Sequence, residues 1–386
     1  MLKMDKLAIH GGKPAAKHMI PIAKPVISEN AMDAVAEVIQ SRYVVQGPNV
    51  KVFEDNFRDE VGSKYAYAIN SGTAALHVAY LTILKPGDEV IVPSFTFIAT
   101  ASTVFYSQGK PVFADIDPAT FIIDPEDVKE KITGRTRAIA PVHLFGGAAE
   151  MSALQDLAAD HGLLIVNDSA QAHGTKYKGN DIGSLDDLNC YSFYPSKSMT
   201  TAEGGMVTTN NEEYDRIGRL IRAHGDDARY HHIRLGLNYR LTEMAAVIGI
   251  DQLSRLGEFI VNRRRFGKFL KEKISKIDGL HPQKIEKDVT SSYSYFTLVM
   301  DTTKYKCTRD EFIEALRAEN ISCAVHYPVP LTRQPAITDL VEPEPCPVSE
   351  DISRRIFSLP MFPDLTDENL YDIEAGVEKV AAYYLK

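Results

Sequence analysis

Short apolar runs alternate with helix-like stretches from Tyr65 to Thr209. The runs are "YAYAIN", "DEVIVPS", "KPVFADI", "RAIAPVHLF", "LLIVNDSA", "LNCYSFYP" and "GGMVTTN". Between them, "SGTAALHVAYLTIL" reads as a loop passing into a helix, and "TFIATASTVFYSQ" and "MSALQDLAADHG" read as helices. The runs are continuously apolar, rich in Val, Ile and Ala. That pattern predicts a mainly parallel sheet covered on both faces. Sheets of this kind bind ligands beyond the carboxyl ends of their strands.

The pattern changes after Thr242. "TEMAAVIGIDQLSRLGEFIVNRRRFGKFLKEKI" predicts one long helix, with its Arg263–Arg265 cluster as a solvated face. "SYFTLVMD", "TRDEFIEALRAEN" and "ISCAVHYPVP" form a small α+β unit. Near the N-terminus, "SENAMDAVAEVIQSRY" is an amphipathic helix with Ser28 as its N-cap. The expected division is a large domain over residues 1–252, including that helix, and a smaller α+β domain over residues 253–386.

Composition adds bounds. A chain of 386 residues with 44% hydrophobic and 25% charged positions is ordinary for a globular protein with a sizeable core. A net charge of −9 argues against a nucleic-acid partner and an acidic membrane surface. The sequence holds no apolar run long enough for a membrane helix and no secretory apolar core at its start. The scattered Cys190, Cys307, Cys323 and Cys346 suit reduced thiols in the cytoplasm rather than disulfides or zinc.

The strand ends carry the candidate chemistry. "AINSGTAAL" ends a strand and opens a helix with Ser71, Gly72 and Thr73. Free N–H groups there, with the positive end of the helix dipole, suit a phosphate. A plainly capped helix start gives the same letters. Neither a P-loop nor a GxGxxG fingerprint occurs. Phe95 and Phe97 follow the next strand, where one ring fits the core and the other fits a planar ligand. Asp168 follows four apolar residues, and a carboxylate at such a strand mouth needs a cation or several donors. Lys197, in "YSFYPSKSMTTAEGGMV", follows another strand. A lone loop lysine is ordinarily solvated, but a partly desolvated one attacks carbonyls. A phosphate cradle, a ring platform, a buried acid and a lysine in one place suit pyridoxal 5′-phosphate.

The chain resembles the DegT/DnrJ/EryC1/StrS family of sugar aminotransferases, which have the fold-type I pyridoxal-phosphate architecture. The likeness runs nearly end to end, through "VVQGPNVKVFED", "NSGTAALH", "PSFTFIATA", "DSAQAHG", "SFYPSK" with "AEGGMV", "GLNYRLTEMAAVIG", "HYPVPL" and "SLPMFPDLTDE". It implies an α/β fold with a large, mainly parallel, doubly covered sheet domain and a smaller C-terminal α+β domain. In that resemblance Lys197 is the Schiff-base lysine and Asp168 the acid facing the pyridine nitrogen. Gln171 lies near the cofactor hydroxyl, Phe97 stacks on the ring, and Gly72, Thr73 and Ser192 contact the phosphate. "GLNYR" resembles a segment reaching the neighbouring subunit's cofactor, with Asn238 and Arg240 as candidates. That implies a homodimer with shared active sites. Tyr43, His326 and Tyr327 resemble residues on the substrate side. Some members carry histidine at the lysine position and act as dehydratases; Lys197 here points to transamination.

The implied reaction moves an amino group from an amino acid, glutamate in most members, through pyridoxamine 5′-phosphate to a keto-sugar, nucleotide-linked, for amino-sugar biosynthesis. Three alternatives stay open at this stage. One is a keto-cyclitol aminotransferase of the inosose type or an aminohydroxybenzoate synthase-like enzyme, which the opening "LAIHGGKP" also fits. Another is a regulatory protein with this fold. The third is a metal module built on "HGDDARYHH", whose spacing matches no standard zinc site. The expectation is no bound metal and no membrane or nucleic-acid partner.

Overall fold

The computed structural model describes residues 6–386. Its centre is a seven-stranded sheet of β1 (Tyr65–Ile69), β2 (Glu89–Pro93), β3 (Lys110–Ala114), β4 (Thr136–Ile139), β5 (Leu164–Asp168), β6 (Leu188–Ser192) and β7 (Gly205–Thr209). The order is β1-β7-β6-β5-β4-β2-β3. β6, β5, β4, β2 and β3 are parallel neighbours, and β7 runs antiparallel to both β1 and β6.

Helix α1 (Glu29–Ser41) packs on the long helix Glu243–Ile274, and helices α2 (Pro48–Val61), α3 (Gly72–Ile83), α4 (Ala99–Tyr106), α5 (Pro125–Lys131), α6 (Met151–His161) and α7 (Glu212–Arg222) surround this sheet. Successive residues of a strand point to opposite faces. Val90 and Val92 of β2 therefore join Val78 of α3 and Val104 of α4 in one core cluster. Ile91, between them, packs with Val128 of α5 and Leu154 of α6 on the other face. All five residues of β2 are buried, as the continuous apolar run requires.

α8 (Glu243–Ile274) is a single helix of 32 residues. The expected division at residues 252/253 falls inside it. Its Leu253, Leu256 and Ile260 pack with α2 and with Ala66 and Ala68 of β1. Its Phe266, Leu270 and Ile274 pack into the C-terminal core. That core is built on an antiparallel sheet of β8 (Leu280–Pro282), β9 (Phe296–Met300) and β10 (Ile356–Leu359), with α9 (Arg309–Ala318) and the final helix Asp367–Tyr384. Leu7, Ala16 and Ile20 also belong to it, so the start of the described chain packs with the C-terminal unit.

The arginine cluster corrects one expectation. Only Arg265 is on a solvated face, beside Asp367. Arg263 is 2% exposed, and its Nη1 donates to the carbonyls of Ser294 at 3.1 Å, Met361 at 3.0 Å and Tyr293 at 3.5 Å. Arg264 donates to the carbonyls of Ser291 and Gly174. The helix crosses between the two units, so Arg263 and Arg264 meet loop carbonyls that need donors. Amphipathic spacing alone does not reveal this.

Candidate active site

A cavity of about 540 Å³ opens at the carboxyl ends of the central strands. Lys197, Asp168, Gly72, Thr73, Phe97, Gln171, Ser192, His326 and Tyr327 all line it. The strand ends bring most of them together, and His326 and Tyr327 arrive from the C-terminal unit.

Asp168 is the last residue of β5 and is 4% exposed. Its main chain is fixed by Asp168 N–H donating to Pro141 O and by His143 N–H donating to Asp168 O. The Thr100 hydroxyl donates to Oδ2 at 2.8 Å, and the Ala170 N–H donates to Oδ1 at 3.2 Å. Burial pushes the carboxyl above the usual carboxylate range; these two donors and the Lys197 charge oppose that shift. Among the described residues Asp168 makes no ion pair.

The cradle forms where β1 ends. Ser71 caps α3, its Oγ accepting from the Ala74 N–H at 3.1 Å. A Cβ on Gly72 would stand 2.5 Å from Ser192 Cβ and 3.0 Å from its Oγ. Glycine is what lets β6 close onto the first turn of α3. A Cβ on Gly205 would meet Ser71 O at 2.6 Å, so β7 also closes against this turn. That close approach accounts for one glycine of "AEGGMV".

Lys197 sits on the turn after β6, half-buried, its N–H donating to Tyr194 O at 2.9 Å. Gln171 is held at both ends. Its Oε1 accepts from the Phe145 N–H at 2.7 Å, and its Nε2 donates to the Tyr327 hydroxyl at 3.2 Å. Phe97 is 55% exposed and lines the opening with its ring 6.2 Å from that of Tyr327, whereas Phe95 is 1% exposed and belongs to the core. Burial, reinforced by the Lys197 charge, pushes His326 down to about 4, so its ring is neutral near pH 7. Burial also pushes the Tyr327 phenol up.

Three candidates lie elsewhere. Tyr43 is exposed on the α1–α2 connection, beside Gly47. Asn238 and Arg240 do not line this cavity, although their segment adjoins the cradle. The Asn70 N–H donates to Tyr239 O at 3.0 Å. The histidines and aspartates of "HGDDARYHH" form an exposed hairpin in which His231 pairs with Asp227 and His232 with Asp226.

The structure adds residues that sequence patterns missed. Thr100 reaches Asp168 from the first turn of α4, and no spacing in "TFIATA" distinguishes it from the neighbouring Thr96. Tyr295, at the entry to β9, also lines the cavity and donates to Ser196 Oγ at 2.8 Å. Glu203 lies on the wall as well.

These residues fit pyridoxal phosphate. A buried carboxylate without a cation is matched by a protonated pyridine nitrogen. The Gly72–Ser192 approach leaves the N–H end of α3 open to a phosphate. A lysine amine shares the same cavity.

The likeness to known proteins agrees. The model of the DegT/DnrJ/EryC1/StrS aminotransferase family matches residues 25–378. The chain is 37% identical over 345 residues to the UDP-2-acetamido-2-deoxy-3-oxo-D-glucuronate aminotransferase of Pseudomonas aeruginosa, covering 89% of this chain and 94% of that one. It is 37% identical over 360 residues to the pleiotropic regulatory protein of Geobacillus stearothermophilus, covering 92% and 94%. The crystal structure of S. venezuelae DesV superposes with a TM-score of 0.88 at 32% identity, covering 93% of this chain and 99% of that one. The chain belongs to the DegT/DnrJ/EryC1/StrS aminotransferase family.

Proposed function

We propose that this pyridoxal-phosphate-dependent aminotransferase moves the amino group of an amino acid, glutamate, to a ketone on a nucleotide-linked sugar, in amino-sugar biosynthesis. The observation that carries this reading is the shared cavity of Lys197, the cation-free carboxylate of Asp168 and the open first turn of α3. The relative that acts on a UDP-linked 3-oxo sugar supports the substrate class.

The chemistry supplied by bound pyridoxal phosphate is amine exchange at its aldehyde and uptake of an electron pair by its protonated ring. The residues divide the remaining work. The α3 N-terminus with Gly72, Thr73 and Ser192 would hold the phosphate. Asp168, oriented by Thr100 and Ala170, would keep the ring nitrogen protonated. Phe97 would cover a ring face, and Gln171 would orient the ring hydroxyl. Lys197 Nζ would hold the aldehyde. With its amine free, Lys197 would take the α-proton of the amino donor and, in the second half-reaction, deliver a proton to the sugar carbon. His326 and Tyr327 line the substrate side as uncharged donors and acceptors.

The reading extends to a homodimer in which Asn238 and Arg240 of one subunit serve the other's site, with Tyr43 also facing substrate. The cytoplasm suits the four buried, unpaired cysteines. No helix among the described residues is long and apolar enough to cross a membrane.

The test incubates the purified holoenzyme with glutamate and a panel of UDP-, GDP- and dTDP-linked keto-sugars, with an inosose as comparison. Mass spectrometry should find an amino-sugar and 2-oxoglutarate in equal amounts. Product from the inosose alone would replace the nucleotide-sugar assignment with the cyclitol one.

A further inference from the structure

The turn that carries Lys197 is anchored unevenly. Its far side is tied to the strand it leaves: Thr200 Oγ1 donates to Phe193 O at 2.8 Å, and the Thr201 N–H donates to the same carbonyl at 3.1 Å. Its near side, Pro195–Lys197, has one side-chain hydrogen bond among the described residues. That bond comes from the Tyr295 hydroxyl to Ser196 Oγ, at 2.8 Å.

Tyr295 belongs to the C-terminal unit and is itself held firmly. It is 6% exposed. Its ring lies 4.6 Å from the His326 ring and packs edge-on to Phe145 at 6.2 Å. The two residues before it, Tyr293 and Ser294, give their carbonyls to the buried Arg263 guanidinium of α8. A rigid chain of contacts therefore runs from α8 through Tyr295 to the residue next to the lysine.

We propose that Tyr295 is a positioning residue for the reaction: through Ser196 it sets where Lys197 presents its amine, and it couples that placement to the seating of the C-terminal unit. This rests on the aminotransferase reading above. Proton transfer by a held amine depends steeply on its geometry. The loss of one neutral hydrogen bond to the lysine turn should therefore appear in turnover rather than in substrate binding.

The experiment compares wild type, Tyr295→Phe, Ser196→Ala and the double variant, each as full-length protein. Cofactor-free protein is mixed with pyridoxal phosphate, and growth of the visible band of the lysine-bound cofactor is timed. The pH midpoint of that band and the kcat and KM for the amino donor are then measured. Each single variant should slow band formation and lower kcat about 3- to 10-fold, the size of one neutral hydrogen bond, with KM within about 2-fold. The double variant should lose no more than either single one, because both changes remove the same bond. Losses that multiply in the double variant, or a Tyr295→Phe protein with wild-type band kinetics and kcat, would overturn the proposal. A wild type that forms no visible band would overturn it together with the aminotransferase reading, whereas a normal wild-type band with indifferent variants sinks this inference alone.

Discussion

The Thr100 hydroxyl donates to Asp168 Oδ2 at 2.8 Å and so ties α4 to the end of β5. This bond orients the carboxylate and opposes the upward push that burial gives its pKa. Asp168→Asn should lower turnover on the order of 10²–10³-fold, since it removes the charge that holds a proton on the ring nitrogen. The sign for stability is opposite. A carboxyl whose pKa is raised by folding costs stability at every pH where the unfolded chain is ionised. The cofactor-free Asp168→Asn protein should therefore melt at or above the wild-type temperature at pH 7. Turnover and thermal melting of the cofactor-free protein check the two halves, and unchanged turnover would remove the role assigned to Asp168.

Gly72→Ala tests the cradle. The new methyl would stand 2.5 Å from Ser192 Cβ, so α3 or β6 must move apart. Such overpacking costs about 1–3 kcal/mol, and it falls where the phosphate is expected. Affinity for pyridoxal phosphate, titrated by absorbance into cofactor-free protein, should weaken at least about 10-fold.

Arg263→Met tests the crossing of α8 between the units. The substitution keeps an apolar stem but leaves the buried carbonyls of Ser294 and Met361 without donors. Each unpaired carbonyl costs about 1–3 kcal/mol. A melting temperature lower by several degrees is expected, and a variant as stable as wild type would show that neither carbonyl needs this partner.

His143 sets an acid limit. It is fully buried; the Ala149 N–H donates to its Nδ1, so its proton sits on Nε2 and goes to Asn167 Oδ1. Burial pushes its pKa down to about 4, only partly offset by the Asn167 bond. Between about pH 6.5 and 4 the unfolded chain binds a proton there that the folded protein refuses, so stability falls as pH falls. His143→Gln preserves a donor and an acceptor without that titration. Its stability should decline less steeply between pH 6 and 4.5, by about 1.4 kcal/mol per pH unit. Chemical denaturation at several pH values gives the comparison.

Much of this was legible in the chain. β2 and β5 are strands because Val, Ile and Leu fill both faces, and Asp168 stands out because four apolar residues and Asn167 lead to it. Gly72 and Lys197 were readable from their place after strands. Thr100, Tyr295 and Arg263 were not. Their partners lie 68, 99 and 30 to 98 positions away, and local periodicity carries no information at that range. Arg263 is the clearest case, since three consecutive arginines on a helix look alike until the packing separates them.

The central claim is that Lys197 and the cavity around it run an amino-transfer half-reaction. Purified protein loaded with pyridoxal phosphate is mixed with glutamate alone, without any sugar, and the visible spectrum and released keto acid are recorded. The expected result is loss of the visible band with one 2-oxoglutarate formed per site, and neither event in Lys197→Ala. Wild-type protein that binds the cofactor yet releases no keto acid from glutamate or any other amino donor, or a Lys197→Ala protein that turns over like wild type, would contradict the account.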